Sequence, residues 1–227
     1  FKTATSRSFT PDDSDEEMRE FLEEAGYLHI QGLFDEREMK AVEDDFPVAA
    51  PHFEKDDPSA WFATTQDGVE HLVRMEGFAR YSQTTAELID DERFQRIGGI
   101  PGIGHVQRRK TGGRVGALSK PIGVVQGISD VPWHKDCSLG RHSYQCCGMT
   151  VGISVTGGGA DTGQLAVVAG SHRANVQPNF VHPYLDLPRV PLPTGAGDVT
   201  VHLSCTLPIS RPPVTADRPG LSPGRGP

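Results

Sequence analysis

GDVTVHLSC, residues 197–205, alternates. In an extended chain Thr200, His202 and Ser204 share one face, while Val199, Val201, Leu203 and Cys205 share the other. A strand with one polar face is either half exposed to solvent or lines the polar interior of a barrel. The second option gains interest from WHKDCS, residues 133–138. There an imidazole and a carboxylate, His134 and Asp136, stand two apart and converge on one side of an extended chain. Together they make half a metal site. A second histidine would complete the two-His, one-carboxylate face that holds non-haem Fe(II) and leaves positions open for substrate and oxygen. The missing ligand should come from a remote strand, and His202 is the candidate. Each piece is weak alone. HxD is a short pattern, and a single strand histidine is more often an ordinary surface or core residue. His142 follows Asp136 too closely to need a fold to bring it round. His172 sits in a turn, and His29, His52, His71, His105 and His182 have no matching partner nearby.

The chain of 227 residues is 36% hydrophobic, enough to bury a core in one domain. Its 26 glycines and 18 prolines favour short strands and turns over a helix bundle. A formal net charge of -8 argues against electrostatic binding of nucleic acid, and the basic run QRRKTGGR (107–114) reads as a solvated loop. No apolar run approaches a membrane span, and FKTATSRSFT at the start lacks the apolar core of a signal peptide. Four cysteines without a CxxC spacing read as thiols of a cytoplasmic protein, with zinc as the alternative.

Along the chain, Pro11 to Ser14 offers caps to a helix with Met18, Phe21, Leu22 and Ala25 on one face and Gly26 as its stop. YLHIQGLF (27–34) reads as a strand and turn, and DEREMKAVEDDF (35–46) as a second helix. Residues 47–68 read as a loop, and 83–97 as a third helix. From residue 98 glycines become dense. Strands are expected near 122–128, 131–136, 148–156, 164–169 and 197–207, separated by turns such as GGGADTG (157–163). Helices followed by a run of short strands suggest an α+β chain, mainly β, with a sandwich or barrel core.

The order of FLEEAGYLHIQGLF (21–34), WHKD (133–136), GQLAVVAGSHR (163–173) and GDVTVHLS (197–204) resembles the phytanoyl-CoA dioxygenase family of Fe(II)- and 2-oxoglutarate-dependent oxygenases. The resemblance implies a double-stranded β-helix, a jelly-roll or cupin-like core, with N-terminal helices packed on one sheet. It implies a single domain over 1–227: a helical part at 1–97, the jelly roll at 98–207 and an irregular C-terminus at 208–227. Iron would be held by His134, Asp136 and His202, with 2-oxoglutarate and O2 as cosubstrates. Halogenating relatives replace the carboxylate with a small residue, so Asp136 argues for hydroxylation, or a related oxidation, of a small-molecule substrate. The GSH turn, 170–172, looks structural in the family.

Family members hold the far carboxylate of 2-oxoglutarate with an arginine at the start of the last core strand, often helped by a hydroxyl. An arginine fork suits a carboxylate because it donates two parallel hydrogen bonds. Ser204 matches the hydroxyl, Arg218 is the better placed arginine and Arg211 the alternative. Arg141, His142, Tyr144 and Gln145 are candidate substrate contacts. After Thr206 the chain departs from the pattern: LPISRPPVTADRPGLSPGRGP holds too many prolines for a central strand. The sequence therefore predicts that the last family strand is missing, through truncation or alteration. That leaves two alternatives: a metal-binding jelly roll that has lost its 2-oxoglutarate anchor, and a zinc hydrolase on the same three ligands.

Overall fold

The computed structural model describes residues 5–102, 115–128, 130–137, 148–174, 178, 186–214 and 221–225, the last of these as backbone. Ser14 opens the first helix, α1 (Asp15–Ala25), by accepting the Glu17 N–H, and three acidic residues occupy the first turn, where the helix dipole favours them. Met18, Phe21, Leu22 and Ala25 are buried on one side. Gly26 ends the helix in the left-handed region at φ 82°. The chain then runs straight into β1 (Tyr27–Ile30), every residue of which is buried. Asp35 and Glu38 form a reciprocal capping box at the start of α2 (Glu36–Ala49). This helix continues past Phe46, where the sequence reading ends it, because Pro47 falls in the last turn and removes only one N–H.

Two elements depart from expectation in the first hundred residues. β2 (Ala60–Thr65) and β3 (Glu70–Glu76) pair as an antiparallel hairpin where a loop was read. Its turn carries Asp67-Gly68, with Gly68 at φ 81°, a short-range hairpin signal. The helix expected over 83–97 is two, α3 (Gln83–Asp90) and α4 (Glu92–Gly99). Asp91 breaks it with extended backbone (ψ 141°), and its carboxylate caps the Arg93 N–H.

The remaining strands are β4 (Gly116–Ser119), β5 (Val124–Gln126), β6 (Met149–Ile153), β7 (Leu165–Val168), β8 (Arg189–Leu192), β9 (Val199–Leu203), β10 (Leu207–Ser210) and β11 (Leu221–Arg225). They form two antiparallel sheets. The large one has eight strands in the order β1-β9-β6-β11-β4-β3-β2-β5, and the small one has three, β10-β7-β8. The expected strand over 131–136 survives as a lone bridge. Val131 and Ser210 exchange both backbone hydrogen bonds, and His134 N–H reaches Pro208 O at 3.3 Å. This segment thus lies along the free edge of β10. The strand expected over 197–207 turns at Ser204 to Thr206 and crosses from the large sheet to the small one.

The C-terminal reading is corrected. Residues 208 onward are not wholly irregular: β10 extends to Ser210, and β11 lies in the middle of the large sheet between β6 and β4. Its register shifts between Ser222 and Arg225, the interval that contains Pro223. A bulge there lets a residue without an N–H sit in an interior strand. Helix α1 lies beside β1, and α2, α3 and α4 pack in sequence. This is a double-stranded β-helix with the N-terminal helices on one sheet.

Gly197 couples the two halves. It has φ 84°, accepts the Phe34 N–H, and a Cβ there would stand 1.9 Å from Phe34 O. Gly197→Ala should destabilise by about 3 kcal/mol or more, since backbone must move. Gly32→Ala, at φ 63° with nothing within 4 Å, should cost only about 1–2 kcal/mol. Urea denaturation of both variants checks the contrast.

Candidate metal centre

His202 lies on β9, deep in the large sheet, and its neighbour across the ladder on β6 is Thr150. His134 and Asp136 arrive from the segment along β10. That segment is fixed by the His134 N–H to Pro208 O and by the Cys137 N–H to Ser204 O at 2.9 Å. The three side chains meet although His202 and Asp136 are 66 residues apart in sequence. His202 Nε2 stands 2.9 Å from Asp136 Oδ2, and His134 Nε2 stands 3.3 Å from Asp136 Oδ1. The Thr150 hydroxyl donates to Asp136 Oδ2 at 2.5 Å.

Burial pushes the Asp136 carboxyl up. The hydrogen bonds from His134 and His202, the charge of His202 and the Thr150 hydroxyl outweigh it and hold the group well below the usual carboxylate range. Asp136 is therefore an anion throughout the physiological range.

The chemistry of the donor set suits a divalent first-row metal. The Nδ1 of His134 lies 2.8 Å from Pro132 O. A carbonyl only accepts, so Nδ1 carries a proton and Nε2 is the atom left to face the site. Nε2 faces Asp136 Oδ1, the side from which it would ligate a cation shared with the carboxylate. Ligands about 2.1 Å from one octahedral ion lie about 3 Å apart along each edge, so both N···O separations are of the right size. As placed, however, the two histidines face different oxygens of Asp136. Among the described residues no group of three His, Cys, Asp or Glu side chains could hold a metal ion as it stands. The fit lies in donor chemistry and in two edges; the ring positions are those of direct histidine–carboxylate contact. His202 Nδ1 is buried and has no hydrogen-bond partner among the described residues.

The other candidates distribute unevenly. Ser204 follows β9 and is buried; its backbone joins Gly148 and Cys137. Arg211 follows β10 directly and is exposed, with its backbone carbonyl accepting from Lys120. Arg218 lies outside the described residues, as do Arg141, His142, Tyr144, Gln145 and the basic run at 107–114. Two positions were not singled out in the sequence. Thr150 stands on β6, and its sequence signal was its parity within GMTVGISVT. The Pro132 carbonyl carries no side-chain signal at all.

Two motif fragments are structural. In GD, Asp198 accepts from Gly32 N–H and Gly195 N–H and pairs with buried His29 at 3.0 Å. It thereby ties the loop after β1 to the loop before β9. In GSH, Gly170 N–H bonds Ala25 O and His172 Nε2 bonds Glu23 O, so the turn satisfies carbonyls left open at the end of α1.

The sequence model of the phytanoyl-CoA dioxygenase (PhyH) family matches residues 22–220. The chain belongs to the phytanoyl-CoA dioxygenase family. Its members are 2-oxoglutarate-dependent oxygenases, and their cofactors are Fe(II), 2-oxoglutarate and O2, the set expected above. No curated protein matches the sequence. Among solved structures, the chain is similar to the non-haem alpha-ketoglutarate-dependent epimerase SnoN from nogalamycin biosynthesis. The TM-score is 0.68 at 19% identity over 93% of this chain and 79% of SnoN. SnoN in complex with Fe3+, alpha-ketoglutarate and nogalamycin RO gives a TM-score of 0.67 at 19% identity over 93% of this chain and 82% of that one. The carbocyclase SnoK, also from nogalamycin biosynthesis, gives 0.66 at 19% identity over 97% of this chain and 85% of SnoK. At this identity the likeness speaks to the fold. No helix among the described residues is long and apolar enough to cross a membrane.

Asp198 yields a pH prediction within this family scaffold. Burial raises its pKa, but the hydrogen bonds from His29, Gly32 and Gly195 bring it below the ordinary 3.8. The fold therefore binds fewer protons than the unfolded chain. The contribution is full above the unfolded pKa and is lost as pH falls through the folded one. Asp198→Ala should cost about 3–5 kcal/mol near pH 7, because it breaks a buried pair with His29 and removes the acceptor of the Gly32 and Gly195 N–H groups. It should also flatten the acid limb of stability against pH, read by denaturant titration from pH 7 to 3.

Proposed function

We propose that this chain hydroxylates a small-molecule substrate, consuming O2 and 2-oxoglutarate and releasing succinate and CO2. His134, Asp136 and His202 are the iron face. The observation that carries the proposal is the buried, ionised carboxylate of Asp136 between two imidazoles supplied by opposite sheets. Iron with 2-oxoglutarate and O2 supplies the oxidising chemistry when bound. The chain's own residues hold and orient it. Asp136 contributes a fixed negative charge, Thr150 restrains its Oδ2, and Pro132 holds His134 Nδ1 as the donor so that Nε2 is the atom that would ligate. The walls of the two sheets exclude water around His202.

Arg218 is the proposed anchor for the far carboxylate of 2-oxoglutarate, with Ser204 beside it. Arg218 precedes β11 by three residues, consistent with an arginine that opens the last core strand. Arg211 is the weaker choice because its side chain is exposed and its backbone serves Lys120. The names epimerase and carbocyclase, printed for the neighbours, are other outcomes on the same scaffold; the carboxylate at 136 argues against halogenation.

Fe(II) added anaerobically to the metal-free protein, followed by 2-oxoglutarate, should produce the visible charge-transfer band of chelated iron. His134→Ala and Asp136→Ala should abolish both the band and succinate formation. Arg218→Ala should weaken 2-oxoglutarate binding by about 10–100-fold, the worth of a charged hydrogen-bond pair, and Arg211→Ala should not. An unchanged band in Asp136→Ala sinks the iron assignment. Iron binding without a band in the wild type favours the relative that has lost its cosubstrate.

A further inference from the structure

Lys120 is the only buried lysine or arginine among the described residues. It follows β4 in the large sheet, and its ammonium spends all three donors on the opposite side: Gly163 O at 2.7 Å, the Ser210 hydroxyl at 2.5 Å and Arg211 O at 2.6 Å. Gly163 leads into β7, Ser210 ends β10 and Arg211 follows it, so all three acceptors lie in the small sheet or beside its strand ends. The pocket around the ammonium is built to size. Gly163 sits at φ 83°, and a Cβ there would stand 2.8 Å from Arg211 O and 3.2 Å from Lys120 Nζ.

Stability alone does not account for a lysine at this place. Burying an ammonium is costly, and an apolar residue of similar volume is often neutral or better. Burial indeed pushes the Lys120 pKa down to about 8, against the opposing pull of Asp130. What an apolar residue could not do is fix three acceptors, at the approach to β7 and the end of β10, at hydrogen-bond distance from one atom. Ser210, one of the three, exchanges both backbone hydrogen bonds with Val131, and Val131 leads through Pro132 into His134. The candidate metal face spans the gap between the sheets: His202 comes from the large one, and His134 and Asp136 hang on the edge of the small one.

We infer that Lys120 is a positioning residue for the metal face, a strut that sets the gap across which His134 and Asp136 meet His202. The inference rests on the iron face proposed above and adds to it a residue that touches none of its three ligands.

The test titrates the metal-free full chain with Co(II) and reads both affinity and the visible spectrum. Lys120→Met should weaken Co(II) binding about tenfold or more, the scale of lost support behind metal ligands, and change the ligand-field bands. Arg96→Met is the stability control. Arg96 ties α4 to Asp15, Pro11 and Asp13, remote from both sheets, and its loss should leave affinity and spectrum unchanged. Unaltered Co(II) binding in Lys120→Met overturns the inference, and so does equal weakening in Arg96→Met. If Lys120→Met does not fold, Ser210→Ala decides: it removes one acceptor, and an unchanged affinity again overturns the proposal. A wild type that binds no Co(II) removes the metal reading itself, whereas wild-type binding that persists in Lys120→Met removes only the strut.

Discussion

A buried carboxylate is tolerable only with partners, and the partners of Asp136 come from both sheets. Two imidazoles and a hydroxyl surround it, and their combined hydrogen bonding and charge outweigh the desolvation that would otherwise protonate it. The requirement is demanding because none of these groups is local. His202 and Thr150 stand opposite one another on adjacent strands of the large sheet, while Asp136 and His134 ride on a segment joined to β10. The site therefore exists only when the two sheets face each other at the right distance. Much of the polar architecture elsewhere serves that alignment.

The short motifs divide along this line. HxD and the second histidine supply the side chains that meet at the candidate site, whereas GD and GSH carry the frame. Asp198 gathers two loop amides and His29, and Gly197 makes room for the Phe34 carbonyl, so the start of β9 is fixed before His202 is reached. The GSH turn works at the other end of the strand. Ser171 accepts the Leu207 N–H where the chain enters the small sheet, and its two neighbours receive the end of α1. A glycine or histidine can thus stand in a motif for packing reasons while the candidate ligands sit a few residues away.

How much was legible follows from which forces are local. Alternation marked β6, β7 and β9, and capping chemistry marked the start and stop of α1, because both are written within a few residues. The jelly roll and the pairing of HxD with His202 came from motif order, since no local pattern says which remote strands meet. The β2–β3 hairpin was missed although Asp67-Gly68 announced it, because its strands lie toward one margin of the sheet and carry few buried residues. The break at Asp91 was hidden by apolar residues that keep helical spacing across it. β11 was misread for a sound reason: a proline does disfavour an interior strand, and only the register shift at Pro223 reconciles the two.

The N-terminal helices are part of the same device. Gly26 must be a glycine twice over: its backbone is left-handed, and a Cβ would stand 2.3 Å from His172 Nδ1 and 2.6 Å from the Thr206 hydroxyl. Its carbonyl accepts both the Leu203 N–H and the Thr206 hydroxyl. Leu203 is the residue after His202, and Thr206 is the last before β10. The end of α1 therefore grips the crossover between the sheets on both sides of Ser204. Lys120 fixes the far end of β10, and Gly26 fixes the near end. Between these two ties the segment bearing His134 has little freedom to slide, so the helical part of the chain holds the candidate metal face in register as directly as the barrel does.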